Sequence, residues 1–194
     1  MAKKTVAIVG SYRKGGTVDQ LVDAVLEGAG EQGAETKKIY LIDQQIEYCH
    51  NCRGCTQTPG EERGRCTIED DMAGILAQLD SADAVVLASP VNFYNVTAVF
   101  RTFLERLVGC ACWPWGAKAP KPRTKVLRRK AVLIASSAAP GFLLPIATGA
   151  PSSAARGGNV FRCASRGEAL GWIGGAEREA AALGEVVAAR AEDR

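Results

Sequence analysis

Residues 5–17 read TVAIVGSYRKGGT, a short apolar run that ends in a glycine-rich polar turn. An unbroken apolar run of this length is typical of a strand buried on both faces of a parallel sheet. Beyond the turn, apolar residues recur at helical spacing, at Val18, Leu21, Val22, Val25, Leu26 and Ala29. The stretch therefore predicts a strand, a tight turn and a helix, which is the opening unit of an α/β fold.

The same alternation continues along the chain. Further apolar runs predict strands at residues 36–41, 84–88 and 131–135. Helical stripes lie between them, at Met72, Ile75, Leu76 and Leu79, and at Val96, Val99, Phe100, Phe103, Leu104 and Leu107. Asp70 and Asp71 suit the start of the first of these helices, as cap and dipole partner. A fifth strand is expected at residues 168–173, before a last helix carrying Leu183, Val186 and Val187.

This order of elements predicts a flavodoxin-like three-layer α/β sandwich, with a five-stranded parallel sheet of order 2-1-3-4-5. The length of 194 residues fits one domain spanning residues 1–194. A net charge of +3 is too small to indicate a nucleic-acid or membrane-surface partner. The chain has neither an apolar run long enough for a bilayer nor signal-peptide anatomy at its start, so we expect a cytoplasmic protein.

The turn at residues 10–17 joins the end of the first strand to the start of the first helix. Free N–H groups at a helix start can bind an anion, and Ser11, Thr17 and Arg13 add further donors. Gly15 and Gly16 allow close approach of the backbone. The turn matches neither G-x-G-x-x-G nor the P-loop. It predicts a phosphate site, the alternative being a turn whose glycines only satisfy backbone geometry.

Two more loops are predicted at the same edge of the sheet. The loop after strand three reads SPVNFYN at residues 89–95, and the loop after strand four reads SSAAPG at residues 136–141. Aromatic faces, amides and small residues around one crevice suit a flavin ring. The alternative is that Phe93 and Tyr94 are core or interface aromatics and that Asn95 is a helix cap.

Four of the seven cysteines form a cluster, at Cys49, Cys52, Cys55 and Cys66. The polar connector TQTPGEERGR could fold the last of them back toward the other three. Four thiolates suit an iron–sulfur cluster or a tetrahedral zinc, while reduced structural thiols or a redox dithiol remain open. His50 is interpreted as a loop residue, and Cys110, Cys112 and Cys163 as inert buried thiols.

A basic stretch with no acid covers residues 117–130. It is either a solvated loop or a docking surface for an NADPH phosphate or an acidic electron-transfer partner. The Trp113-Pro114-Trp115 run before it could cover a subunit interface or the flavin.

Residues 10–109 resemble the NADPH-dependent FMN reductase-like branch of the flavodoxin-fold proteins. The resemblance is carried by GSYRKGGT, CHNCRGC, CTIEDDM, SPVNFYNV and FLERL, and it extends through AVLIASSAAPG. It implies an FMN phosphate bound by Ser11, Arg13, Gly15, Gly16, Thr17 and Val18. It also implies an isoalloxazine ring held by Pro90, Val91, Asn92, Phe93, Tyr94, Asn95, Ser136, Ser137 and Ala138. The family commonly has Tyr-Phe or Tyr-Gly where this chain has Asn92-Phe93, which leaves open the side of the ring that these residues cover.

The iron–sulfur flavoproteins of the family carry a cysteine run similar to the segment at residues 49–66. The resemblance thus implies a 4Fe-4S cluster on Cys49, Cys52, Cys55 and Cys66, although the last spacing in those proteins is usually shorter.

The expected function is that of an FMN-dependent NAD(P)H oxidoreductase passing electrons to a small acceptor such as a quinone or a flavin. The cofactor supplies the chemistry, so no catalytic acid, base or nucleophile of the protein is expected. One alternative is an iron–sulfur flavoprotein that carries electrons between proteins, and another is a zinc-stabilised, non-catalytic binding module. The resemblance also implies a homodimer or homotetramer.

Overall fold

The computed structural model describes residues 2–93, 95–123, 130–136 and 159–163, and the structural statements below refer to these. Within them the strands are β1 (Lys4–Val9), β2 (Glu35–Tyr40), β3 (Ala84–Asn92), β4 (Asn95–Val96), β5 (Ala111–Cys112), β6 (Lys121–Pro122), β7 (Lys130–Ser136) and β8 (Asn159–Cys163). The α-helices are α1 (Thr17–Glu31), α2 (Met72–Asp80) and α3 (Ala98–Arg106). None of these helices combines the length and apolar character needed to cross a bilayer.

The main sheet has the order β2-β1-β3-β7-β8, and these five strands are parallel. This confirms the predicted flavodoxin-like order 2-1-3-4-5. β4 pairs antiparallel with the end of β3, and β5 and β6 form a separate two-stranded ribbon. Strands β1, β3 and β7 lie side by side, so their carboxyl ends form one edge of the sheet.

The fifth strand lies earlier in the chain than the sequence predicts. It is β8, which pairs with β7 from Val132 opposite Asn159 to Ser136 opposite Cys163. The prediction was wrong because this strand contains few large apolar residues, Val160 and Phe161, and so has a weak pattern. Residues 168–173 and the predicted last helix lie outside the described residues.

Alternate residues of β1 serve two separate core layers. Ala7 and Val9 pack against α1, whereas Val6 and Ile8 pack against α2 and α3. All four side chains are fully buried, so both faces of the strand are covered by helices. Burying a Val or Ile side chain contributes about 1.5–3 kcal/mol to the stability of the fold. This explains why residues 6–9 are all apolar and do not alternate with polar residues.

Candidate functional site

The glycine-rich turn lies where the sequence predicts it, between β1 and α1. All six residues predicted to hold a phosphate belong to this turn or to the first turn of the helix, which begins at Thr17 after Gly16. The first N–H groups of a helix have no intrahelical acceptor and can bind an anion. A Cβ atom on Gly10 would lie 2.6 Å from the ring of Phe100, so the turn must start with a glycine.

The side chains of Ser11 and Asp19 shape this turn through hydrogen bonds to its backbone. The Ser11 hydroxyl accepts a hydrogen bond from the Arg13 N–H and donates one to the Arg13 carbonyl, both 3.1 Å long. Gly15 has a φ of +72°, and its N–H donates to Asp19 Oδ2 over 2.5 Å. The loop is therefore held in shape by its own hydrogen bonds, and the Ser11 hydroxyl is already engaged there.

Asp19 is a functional candidate that the sequence reasoning missed. Only 3% of this residue is exposed, and its carboxylate accepts from Lys38 Nζ over 2.7 Å and from the Tyr40 hydroxyl over 2.8 Å. Burial alone would raise the pKa of Asp19, but hydrogen bonds from Lys38, Gly15 and Tyr40 lower it below its ordinary value. A carboxylate thus stays ionised behind the turn, neutralised by Lys38. An acid three residues into the helix was the available signal.

The predicted ring-binding loop is a tight reversal at the end of β3. Asn92 lies opposite Asn95, which belongs to β4. Pro90 and Val91 are the two residues of β3 that precede Asn92. Phe93 has a φ of +48° and is 98% exposed. Phe93 is therefore not a core aromatic, which was one interpretation of the sequence. Tyr94 lies outside the described residues.

Thr97 connects the two loops. Its hydroxyl donates to the Gly10 carbonyl over 2.6 Å and accepts from the Phe100 N–H over 3.4 Å, while its own N–H donates to Ser89 Oγ over 3.1 Å. Thr97 rather than Asn95 is therefore the cap of α3. The sequence signal was a threonine directly before the apolar stripe.

The third loop begins at the end of β7. Ser136 is the last residue of that strand and lies opposite Pro90 in the register. Ser137 and Ala138 lie outside the described residues. Within the described chain, the structure brings three segments to the same edge of the sheet. They are the glycine-rich turn at residues 10–17 (hereafter the phosphate turn, after its predicted ligand), the β3–β4 reversal and Ser136. The sequence predicts a flavin-binding crevice at this edge.

The four clustered cysteines line one pocket, as do Arg53, Ile68, Arg106 and Val108. Burial raises the pKa of the Cys55 thiol, and the charges of Cys66, Cys49 and Cys52 raise it further. The four thiols are thus close enough to influence one another. Among the described residues, no three His, Cys, Asp or Glu side chains are arranged so that together they could hold a metal ion.

The long connector before Cys66 folds back through contacts with the following segments. The Gly64 N–H donates to the Gly109 carbonyl over 3.0 Å, and a Cβ atom on Gly64 would lie 1.6 Å from the Cys55 carbonyl oxygen. The Arg123 guanidinium donates to the carbonyls of Cys55, Thr58 and Gly109. These contacts explain how a ten-residue spacing still places Cys66 beside the other cysteines.

A buried ion pair forms part of the pocket wall. Arg106 Nη1 and Nη2 donate to the Asp70 carboxylate over 2.5 and 3.1 Å, and both side chains are at most 5% exposed. Burial alone would raise the pKa of Asp70, but Arg106 and the N–H groups of Glu47 and Met72 lower it. Asp71, also predicted as a helix cap, accepts from the Gln45 N–H instead. The two acids therefore anchor the segment that leads into the cysteine loop.

The Arg53 guanidinium packs on the rings of Trp113 and Trp115. Its guanidinium carbon is 4.2 Å from each ring centroid, and Nη2 donates to the Trp113 carbonyl over 2.7 Å. The tryptophan run thus packs on the cysteine loop, a placement that the sequence did not indicate. Trp115 keeps 68% of its surface exposed.

The other cysteines differ from the prediction. Cys110 is exposed and Cys112 is half-buried, because both lie near the exposed ribbon of β5 and β6 and not in the core. The prediction that they are buried was wrong for Cys110, and the side chain of Cys163 lies outside the described residues. His50 lines the cysteine pocket, with its ring edge-on to Tyr48.

The basic stretch is only partly described. Lys118 and Lys121 are exposed, whereas Arg123 is half-buried and spent on backbone carbonyls. Residues 124–129 lie outside the described residues. Arg123 therefore serves the cysteine loop, and the docking interpretation applies only to the exposed lysines.

Comparison with solved structures shows the fold. An NAD(P)H:quinone oxidoreductase from Methanothermobacter marburgensis matches with a TM-score of 0.70 at 14% identity, covering 95% of this chain and 96% of that one. An FMN-dependent NADH-azoreductase from Bacillus anthracis, in complex with FMN, matches with a TM-score of 0.66 at 15% identity, covering 96% of this chain and 100% of that one.

Curated relatives share more sequence over a shorter stretch. An iron–sulfur flavoprotein of Archaeoglobus fulgidus is 37% identical over 105 residues, which are 54% of this chain and 46% of that protein. One of Methanocaldococcus jannaschii is 36% identical over 103 residues, 53% of this chain and 51% of that protein. The matches thus span about half the length of these relatives. The model of the NADPH-dependent FMN reductase family matches residues 3–143, and on that match the chain belongs to this family.

Proposed function

We propose that this protein binds FMN in the crevice at the ends of β1, β3 and β7. In this proposal it acts as an FMN-dependent NAD(P)H oxidoreductase that passes electrons to a small acceptor such as a quinone or a flavin. The observation that carries the proposal is the convergence of three loops on one sheet edge, with a glycine-rich turn at the start of α1 that internal hydrogen bonds hold in shape. Membership of the FMN reductase family supports it.

The residues of the chain bind and orient the cofactor. The turn residues Ser11, Arg13, Gly15, Gly16, Thr17 and Val18 would surround the phosphate, with the helix start supplying N–H donors. The segment 90–95 and residues 136–138 would border the ring. Phe93, in this segment, is exposed.

Bound FMN would supply the chemistry, by accepting hydride from a reduced nicotinamide and releasing the electrons singly or in pairs. The protein then needs no proton-transfer residue of its own at the ring. Thr97 contributes by fixing the distance between the phosphate turn and the ring loop, since it hydrogen-bonds to both.

We further propose that Cys49, Cys52, Cys55 and Cys66 hold a 4Fe-4S cluster. The donor set fits, because four thiols line one pocket beside a buried guanidinium, and the two curated relatives described above are named iron–sulfur flavoproteins. When bound, the cluster would supply a site for one electron at a time. The four cysteines of the described chain do not form a ready-made site for a single metal ion. The cluster proposal therefore rests on the fact that they line the same pocket.

The cysteine pocket also favours a second function, that of an electron carrier between proteins. A flavin and a cluster in one chain allow a two-electron donor to serve one-electron partners. No contact in the described part of the chain favours the third possibility, a zinc-stabilised module without flavin.

The deciding experiment uses protein purified without oxygen. Its absorption spectrum is recorded, and iron, acid-labile sulfide and FMN are assayed on the same sample. Flavin bands, with oxidation of NADH or NADPH by a quinone, support the reductase, and about four irons per chain support the cluster. Protein that stays colourless after FMN is added back would contradict the central proposal. A bound flavin without nicotinamide oxidation, but with reduction by a redox protein, would favour the carrier.

A further inference from the structure

Two arginines share the cysteine pocket although they come from different parts of the chain. Arg53 belongs to the cysteine loop itself, between Cys52 and Cys55, and Arg106 is the last residue of α3. Both line the pocket that the four cysteines line. A pocket for a purely apolar group would not place two guanidinium groups beside four thiols.

Each of these arginines has one buried N–H without a partner. Across the described residues, the buried side-chain nitrogen and oxygen atoms that lack a hydrogen-bond partner are Nε of Arg53 and Nε of Arg106. Buried polar groups in folded proteins nearly always have partners, so such a pair in one pocket indicates an acceptor that binds there.

Arg106 Nε has no hydrogen-bond partner, although both terminal nitrogens of the guanidinium are bonded. Nη1 and Nη2 are taken by the Asp70 carboxylate and the Glu47 carbonyl, and only 5% of the residue is exposed. The ion pair with Asp70 fixes the guanidinium at the wall of the cysteine pocket, with Nε left as a donor.

The two tryptophans fix Arg53 in a similar way. The guanidinium carbon lies 4.2 Å from the centroid of each ring, and the N–H donors of a guanidinium point in the plane of the group. Nη2 is directed to the Trp113 carbonyl. Nε is left as an in-plane donor on a residue that lines the cysteine pocket.

We infer that Arg53 and Arg106 donate N–H···S hydrogen bonds from Nε to sulfur atoms of the cluster or of its cysteine ligands, and that they thereby raise its reduction potential. The inference rests on the proposed cluster. Reduction adds one electron and no proton to a group that is already negative, so positive charge and N–H donors beside it stabilise the reduced form more than the oxidised form.

The test compares reduction potentials of the reconstituted full chain, measured by anaerobic spectroelectrochemical titration. In Arg53→Gln the charge and the Nε donor are lost. The Trp113 carbonyl keeps hydrogen bonds from Thr56 Oγ1 and Gln57 Nε2, so the loop retains its closure. We expect the ratio of reduced to oxidised cluster at a fixed potential to fall about tenfold, which is about 59 mV for a one-electron couple.

Arg106→Lys keeps a charge opposite Asp70 but removes the Nε donor, and we expect a fall of about threefold in the same ratio. The matched control is Arg101→Gln on the same helix, where the arginine is 58% exposed and pairs with Glu105. That variant should leave the potential unchanged. Iron, sulfide and FMN contents are measured for every sample, so that a loss of cluster is not mistaken for a shift in its potential.

Three outcomes decide the inference. A lowered potential in Arg53→Gln at full iron content, with Arg101→Gln unchanged, supports it even when Arg106→Lys does not fold. Unchanged potentials in fully loaded Arg53→Gln and Arg106→Lys would overturn it while leaving the cluster proposal intact. Wild-type protein that takes up no iron on reconstitution would overturn the cluster proposal and this inference with it, while the FMN proposal would stand.

Discussion

At the scale of single residues, the phosphate turn depends on a carboxylate that no phosphate would touch. Asp19 receives the Gly15 N–H and is neutralised by Lys38, which also pairs with Asp23. The turn thus has its shape before any anion binds. A preformed loop costs less ordering entropy when the ligand arrives, so Asp19 should act on the affinity for FMN.

Asp19→Asn tests this role. The variant loses the charge that pairs with the largely buried Lys38, and we expect the Kd for FMN to rise about tenfold, equivalent to about 1.4 kcal/mol. The measurement is fluorescence titration of apoprotein with FMN. Asp23→Asn is the control, because it removes the exposed partner of the same lysine and leaves the Gly15 contact in place. Equal effects of the two variants would contradict a specific role for Asp19.

At the scale of elements, the crevice requires that α3 and the phosphate turn stay joined. Thr97→Val removes the hydroxyl that donates to the Gly10 carbonyl and caps α3. Losing a cap and leaving a buried carbonyl unpaired should lower the free energy of unfolding by about 2 kcal/mol. Urea denaturation of the apoprotein measures it, and Thr97→Ser, which keeps the hydroxyl, should retain most of the stability. A stable Thr97→Val protein with normal FMN affinity would contradict this view.

The connector between Cys55 and Cys66 makes a second prediction at this scale. In Gly64→Ala the new Cβ atom would collide with the Cys55 carbonyl, so the backbone must move and Cys66 with it. We expect iron bound per chain to fall at least several-fold, while FMN binding is retained, because the crevice lies on other loops. Gly74→Ala in α2 is the control, since a Cβ atom there meets nothing within 4 Å. Full iron content in Gly64→Ala would contradict the proposed folding of the connector.

At the scale of the whole molecule, two buried carboxylates link stability to pH. The pKa values of Asp19 and Asp70 lie below their ordinary value of 3.8 in the folded state. The unfolded chain therefore binds more protons in acid than the folded chain does. The two carboxylates stabilise the fold above about pH 4, and this contribution is lost as the pH falls through their pKa values in the folded state. Denaturation curves from pH 6 to pH 2.5 should show this fall, and it should be shallower in Asp19→Asn. Parallel curves for the two proteins would contradict it.

The fold was predictable because its signals are local. A five-residue apolar run, a glycine turn and a helical stripe each lie within one window, and their order leaves few topologies. β8 was misplaced because an edge strand with few large apolar residues has little local pattern. The residues that hold the sites together were missed for a different reason. Thr97 meets Gly10 across 87 positions and Arg123 meets Cys55 across 68, and such pairings leave no periodic trace in the sequence.

The packing of Arg53 against Trp113 and Trp115 gives the protein an optical reporter of its own. The chain has three tryptophans, and these two contact Arg53, which lines the cysteine pocket. A coloured metal–sulfur group bound there would absorb in the range where indole rings emit. It would therefore quench the fluorescence of the nearby tryptophans by energy transfer. Loading of the pocket should therefore be visible as a loss of ultraviolet emission, in real time and on unmodified protein.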